Sequence, residues 1–347
     1  MRLMETENLQ PGMVLANQVY SRGGTTLLKK GVVLKPSYIN RLKFMDIPCV
    51  YIYDELPKEV VTGEVIDRKH LMNAYNIMRE KNYDLCLAIA SCIVEDLLDH
   101  IDDIPNMKQL QLYDNATFNH SIHVAVLSTL VGLELGFYEE RLDKLALSGL
   151  MHDIGKEKLP EEIIKKEGKL TDQEYRLVQE HPRLGYEMVK DRIGIPAVVK
   201  NAILFHHENE DGSGYSEGRT GDQVHMFAKI VHLCDVYDAM VSKRCYKKDI
   251  NPAWVIAYLK SEAGIMFDEM LVDAFRSSVF PYTPGVLVKL SDGRKAVVKE
   301  NHRGYPDRPD VVLEDSGLVL ELRHIHGLFI AKILTGEQQK SEREEAV

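Results

Sequence analysis

Eight successive segments between residues 120 and 280 carry apolar residues at helical spacing, and no strand alternation separates them. They cover residues 120–135, 139–152, 172–180, 184–192, 196–206, 223–242, 252–261 and 269–280. A core of this kind closes helix on helix, so the region is predicted to be an all-helical bundle. Thr171 followed by Glu174 has the form of a capping box and marks the start of the third segment. Upstream, between 65 and 101, Leu71, Ile77, Leu85, Ile89, Ile93 and Leu97 also recur in helical phase, with a break near 81–84. These are predicted to be entry helices of the same bundle.

The two ends read differently. Residues 1–56 carry short β-like stretches at 19–20, 25–28 and 32–34, broken by Gly23, Gly24 and Gly31, then a helix behind Pro36 and a strand at 50–53. After Pro281 the pattern returns to short strands at 286–290, 295–300, 311–313 and 318–320, before a charged tail that begins at Gly336. The expected fold class is therefore mainly α. A small N-terminal α+β module spans 1–56, a helical linker 57–112, a catalytic helical domain 113–282 and a β-rich appendage with its tail 283–347.

Charge and cysteine usage exclude several functions. A net charge of -10 disfavours binding to DNA or RNA polymers, which needs clustered positive charge. Five scattered cysteines without a CxxC pair argue against disulfides and against a thiolate zinc knot. Glu5 and Glu7 stand where a signal peptide needs an apolar stretch, and the apolar runs at 85–94 and 124–133 are too short to span a membrane. A cytoplasmic protein is expected.

The chemistry lies in polar residues set at the ends of apolar helices. His152-Asp153 closes the segment holding Leu142, Leu145, Leu150 and Met151; His206-His207 closes the one holding Val199, Ile203 and Phe205; Asp235 interrupts Ile230, Val231, Leu233 and Val236. Buried polar groups need partners, and nitrogen with carboxylate oxygen suits iron, manganese, zinc or nickel better than calcium or magnesium. His120 and His181 add two further imidazoles.

These residues stand in a recognisable order: His120 in NHSIHVAVLS, His152, Asp153 and Lys156 in LMHDIGKEKLP, His181 in EHPRLGYEMV, His206, His207 and Tyr215 in HHENEDGSGYS, and Asp235, Arg244 and Lys247 in DVYDAM and SKRCYKK. Over about 130 residues the series resembles the HD-GYP family, a branch of the HD-domain metal-dependent phosphohydrolases. The resemblance implies one cation held by His120, His152, Asp153 and Asp235, and a second held by the bridging Asp153 with His181, His206 and His207. It implies two divalent transition-metal ions, iron first and manganese next, with cyclic di-GMP cleaved to linear pGpG. Lys156 and Asp153 are the implied catalytic groups, and Arg244, Lys247 and Tyr215 the implied substrate contacts. A cyclic GMP-AMP phosphodiesterase and a cyclic-dinucleotide receptor with weak or no hydrolysis are the alternatives.

Two positions depart from the family pattern. Ser216 stands where proline usually follows Gly-Tyr, which suggests a looser loop, and Ala116 stands where three-metal members carry a glutamate. The remaining histidines match no ligand position and are read as structural or exposed, with His232, one turn before Asp235, the one expected to support a ligand.

Overall fold

The computed structural model describes residues 2–334 except 17–18, 21–25, 30, 46, 48, 54–65, 67, 80–84, 107–115, 165, 167 and 243–250. At the N-terminus, strands β1 (Arg2–Glu5), β2 (Val14–Leu15) and β5 (Cys49–Tyr53) form an antiparallel sheet in the order β1-β5-β2, and β3 (Val19–Tyr20) pairs with β4 (Thr26–Leu28). Helix α1 (Pro36–Phe44) buries Ile39 and Leu42 in the same small core as Leu15, Leu34, Val50 and Ile52. The stretch 32–34 runs beside 13–15, with Leu15 N donating to Val32 O at 2.9 Å, yet only Val33 forms a bridge. Pro36 opens α1 so soon afterwards that no longer strand develops.

The bundle follows: α2 (Arg68–Arg79), α3 (Cys86–Asp99), α4 (Ala116–Glu134), α5 (Glu139–Met151), α6 (Glu161–Ile164), α7 (Asp172–Val178), α8 (His181–Val189), α9 (Ala197–Phe205), α10 (Met226–Ser242), α11 (Pro252–Ser261) and α12 (Glu269–Ser278). Helices α4 and α5 form its centre and feed two cores. Ile122, Ala125, Leu142 and Leu150 pack on the side of α2 and α3, whereas Val124, Val131 and Leu145 pack on the side of α10, α11 and α12. Burial on both faces explains why α4 and the second half of α5, from Leu145 to Met151, are mostly apolar. At α7 the predicted capping box is present: Thr171 Oγ accepts from Glu174 N at 3.3 Å, and Glu174 Oε2 accepts from Thr171 N at 2.7 Å.

The C-terminal appendage is an antiparallel sheet of β6 (Leu287–Leu290), β7 (Lys295–Glu300), β8 (Asp310–Leu313), β9 (Val319–Glu321) and β10 (Ile330–Ile333), in the order β10-β6-β7-β8-β9. Asn251 joins it to the bundle. Its side chain caps α11, donates to Ile330 O at 2.7 Å and accepts from the Tyr282 hydroxyl at 2.6 Å, so buried polar groups on both sides satisfy one another. Among the described residues no helix is long and apolar enough to cross a membrane.

Candidate metal centre

Three of the predicted ligands share one construction. His152 follows the end of α5, His181 the end of α7 and His206 the end of α9. The last carbonyls of a helix have no partner within it, and a nearby imidazole N–H can supply one. Here Nδ1 of His152 donates to Gly149 O at 2.7 Å, Nδ1 of His181 to Val178 O at 2.7 Å and Nδ1 of His206 to Ile203 O at 2.9 Å. A carbonyl only accepts, so each Nδ1 carries a proton and Nε2 is the nitrogen left to offer a lone pair to a cation.

Those lone pairs converge with the carboxylates. His181 Nε2 stands 3.2 Å from His206 Nε2 and 3.2 Å from Asp153 Oδ1, while His152 Nε2 is buried without a hydrogen-bond partner. His120 Nε2 lies 2.9 Å from Asp235 Oδ1 and 3.8 Å from Asp153 Oδ2. The donors fall into two groups, His181 with His206 and His207, and His120 with His152 and Asp153, each with its ligand atoms within 4.8 Å of one another. Asp153 lies beside both groups. Two imidazole lone pairs at 3.2 Å repel unless a cation or proton lies between them, so the donor set fits divalent transition-metal ions. The structure thus brings His120, His152, Asp153, His181, His206, His207 and Asp235 into one cluster. Arg244 and Lys247, the predicted phosphate contacts, lie outside the described residues.

Electrostatics follows from burial and mutual contact. Burial alone would raise the carboxyl of Asp153, but Lys156 and His152 hold it well below the usual carboxylate range. Lys156 Nζ is 2.5 Å from Asp153 Oδ2 and its side chain remains 28% exposed, so the ammonium borders both the cluster and solvent. Asp235, despite its burial, is held well below the usual range by His120 and His152. Burial and neighbouring imidazoles keep His206 neutral. For His120, burial opposes the charge, but hydrogen bonds to Asp235 and Asp238 outweigh it and push the ring up to about 10. A cation held by His120 would take the place of that Nε2 proton, so its binding would release protons and weaken as pH falls.

A search of protein families matches residues 105–271 to the HD domain. The chain is 37% identical over 219 residues to a cyclic di-GMP phosphodiesterase of Pseudomonas aeruginosa, covering 62% of this chain and 53% of that one. It is 36% identical over 151 residues to 3'3'-cGAMP-specific phosphodiesterase 1 of Vibrio cholerae, covering 43% of this chain and 34% of the relative. The chain thus spans about half the length, or less, of these relatives. In fold it resembles an HDG"Y"P protein from Bdellovibrio bacteriovorus, at a TM-score of 0.54 and 16% identity, over 79% of this chain and 97% of that one.

The loop that follows the His206-His207 pair is tied down by close contacts. Gly214 presses so closely on the backbone that a Cβ there would overlap His207 O and Asn209 N. The adjacent Tyr215 ring stacks on His207, with centroids 4.5 Å apart and 22° between planes. Ser216 adopts φ 126°, which proline cannot take, and its hydroxyl donates to Leu204 O at 2.7 Å. The Ser216 hydroxyl thus ties the loop to the end of α9, a contact that proline at this position could not make. Below it, the buried Glu208 carboxylate accepts from Glu217 N at 2.7 Å, Gly218 N at 3.0 Å and Arg219 N at 3.1 Å. Glu208 escapes a reading of HHENEDG because nothing in that string distinguishes the inward acid from Glu210 and Asp211. Glu208→Ala would leave three N–H groups without this acceptor, lowering stability by roughly 1–3 kcal/mol and speeding amide exchange at 217–219.

His232 and Asp238 complete the surroundings. His232 Nε2 lies 3.1 Å from Asn209 Oδ1, its ring centroid 6.2 Å from that of His207, and burial lowers its pKa to about 4. His123, read from sequence as structural or exposed, is half-buried against Asp238. Among the other histidines, His70 pairs with Asp96 at 2.7 Å and His302 with Asp310 at 3.0 Å, both away from the cluster.

Proposed function

We propose that the chain is a metal-dependent phosphodiesterase that hydrolyses cyclic di-GMP to linear pGpG at this cluster. The observation that carries the reading is the convergence of five imidazoles with the carboxylates of Asp153 and Asp235, with the Lys156 ammonium paired to Asp153. The names of the curated relatives support a cyclic dinucleotide as substrate.

In this reading His120, His152, Asp153 and Asp235 hold one ion, and Asp153, His181, His206 and His207 hold the other. The ions are iron first and manganese next, as befits mixed nitrogen and oxygen donors. Ala116 offers no donor atom, so two ions are expected rather than three. When bound, such a pair lowers the pKa of a shared water and clamps phosphate oxygens for in-line displacement. Lys156 keeps Asp153 ionised and turns its positive charge toward the departing ribose oxygen. Arg244 and Lys247 hold the phosphates, the arginine by a two-pronged hydrogen bond. Tyr215, fixed on His207, presents its phenol to a base or phosphate.

A mixed-purine ring is the second reading, favoured by the cyclic GMP-AMP relative. Anaerobic purification with metal analysis, followed by chromatography of the products from both dinucleotides, tests these readings. Two ions per chain and accumulation of pGpG are expected. Faster cleavage of the mixed ring would move the substrate assignment, and tight binding by a fully loaded chain without cleavage would make the protein a receptor.

A further inference from the structure

His120 differs from the other histidines of the cluster in where it stands. His152, His181 and His206 follow helix ends and use carbonyls left over there, but His120 lies within α4, where backbone carbonyls already serve the helix. Its Nδ1–H therefore needs an acceptor from another element. Asp238, one turn beyond Asp235 on the facing helix α10, provides it: Asp238 Oδ2 lies 2.7 Å from His120 Nδ1. The second oxygen, Oδ1, lies 3.0 Å from Nδ1 of His123, one turn along α4. Each oxygen of the carboxylate is thus engaged by a different imidazole, and Asp238 is only 5% exposed. With Nδ1 committed to Asp238, Nε2 is the nitrogen that His120 can turn toward Asp235 and Asp153.

We infer that Asp238 is a positioning residue that aims His120 at its cation, and that His123 braces Asp238. The inference rests on the two-metal reading above and assigns a role to two residues that reading leaves unused. A carboxylate behind a ligating imidazole fixes the ring and raises its basicity, and losing such a partner typically weakens metal binding by about 10–100-fold. Asp238→Asn keeps the shape but removes the charge.

The experiment titrates the full chain with Mn2+ in competition with a chelator, alongside the far-UV spectrum and melting temperature of the metal-free protein. Wild type should bind two Mn2+. Asp238→Asn should weaken one of them by about tenfold or more and leave the other near its original affinity, and His123→Ala should weaken the same ion by a smaller factor. Unchanged affinity for both ions in Asp238→Asn would overturn the inference, including the case where only the metal-free melting temperature falls. Should Asp238→Asn fail to fold, His123→Ala decides: selective weakening of one ion supports the inference, and two ions at wild-type affinity overturn it. A wild-type chain that binds no Mn2+ would overturn the two-metal reading and this inference together, whereas two ions indifferent to Asp238 would remove the inference alone.

Discussion

Asp153→Ala is expected to strip the cluster of metal and to reduce hydrolysis to background. Asp153 reaches both donor groups at close range: Asp153 Oδ2 is 3.3 Å from His152 Nε2, and Asp153 Oδ1 is 3.2 Å from His181 Nε2. Its removal takes a negative charge from both prospective ions and leaves the Lys156 ammonium without the carboxylate it pairs with. That ammonium then repels any cation that enters. The loss should exceed the roughly 10–100-fold typical of removing a residue that merely supports a ligand. Metal analysis of the purified variant, with turnover measured after reloading, checks this. Two ions with normal turnover would remove Asp153 from the bridging position.

Gly155→Ala should have an effect of comparable size for a different reason. Gly155 lies where the short turn after His152-Asp153 crosses the start of α8; a Cβ there would overlap His181 O and lie 2.5 Å from Gly185 N. Both obstacles are backbone, so the strain cannot be relieved by a change of rotamer. Overpacking of this kind typically costs about 1–3 kcal/mol, and more when the surroundings cannot yield. Because α8 carries His181, the displacement also separates that imidazole from Asp153. A lowered melting temperature together with reduced metal content is expected. Gly194→Ala, where a Cβ meets nothing within 4 Å, is the control and should change stability by no more than about 0.5 kcal/mol. Equal behaviour of the two variants would show that the crossing at Gly155 has more room than its geometry implies.

Much of this arrangement is legible in the sequence because burial gives polar residues a cost. An imidazole and a carboxylate that terminate a run such as Leu145, Leu150 and Met151 stand out against the apolar phase of their own helix. Asp238 carries no such signal. In DVYDAM it looks like the polar face of an ordinary helix, and its role appears only when α10 is set against α4, 118 positions earlier for His120. Glu208 is hidden for a similar reason, since its partners are backbone N–H groups that any sequence supplies. The helical phase of the bundle could be read from local spacing. Strands β1 and β10 could not, because each exists by pairing with a distant strand, Leu3 with Tyr51 and Ile330 with Leu290.

The placement of His152, His181 and His206 just beyond three separate helices has a consequence for how the chain reaches its native state. None of the three helices owns a complete binding site, and residues from 120 to 235 must be in register before their donors meet. The unfolded chain therefore offers an ion no comparable set of ligands, and binding is linked to completion of the bundle. A free ion at a hundred times its dissociation constant would favour the assembled bundle by about 2.7 kcal/mol. A cation bound there would also act as a latch on tertiary structure, and metal supply would govern how long the chain stays folded.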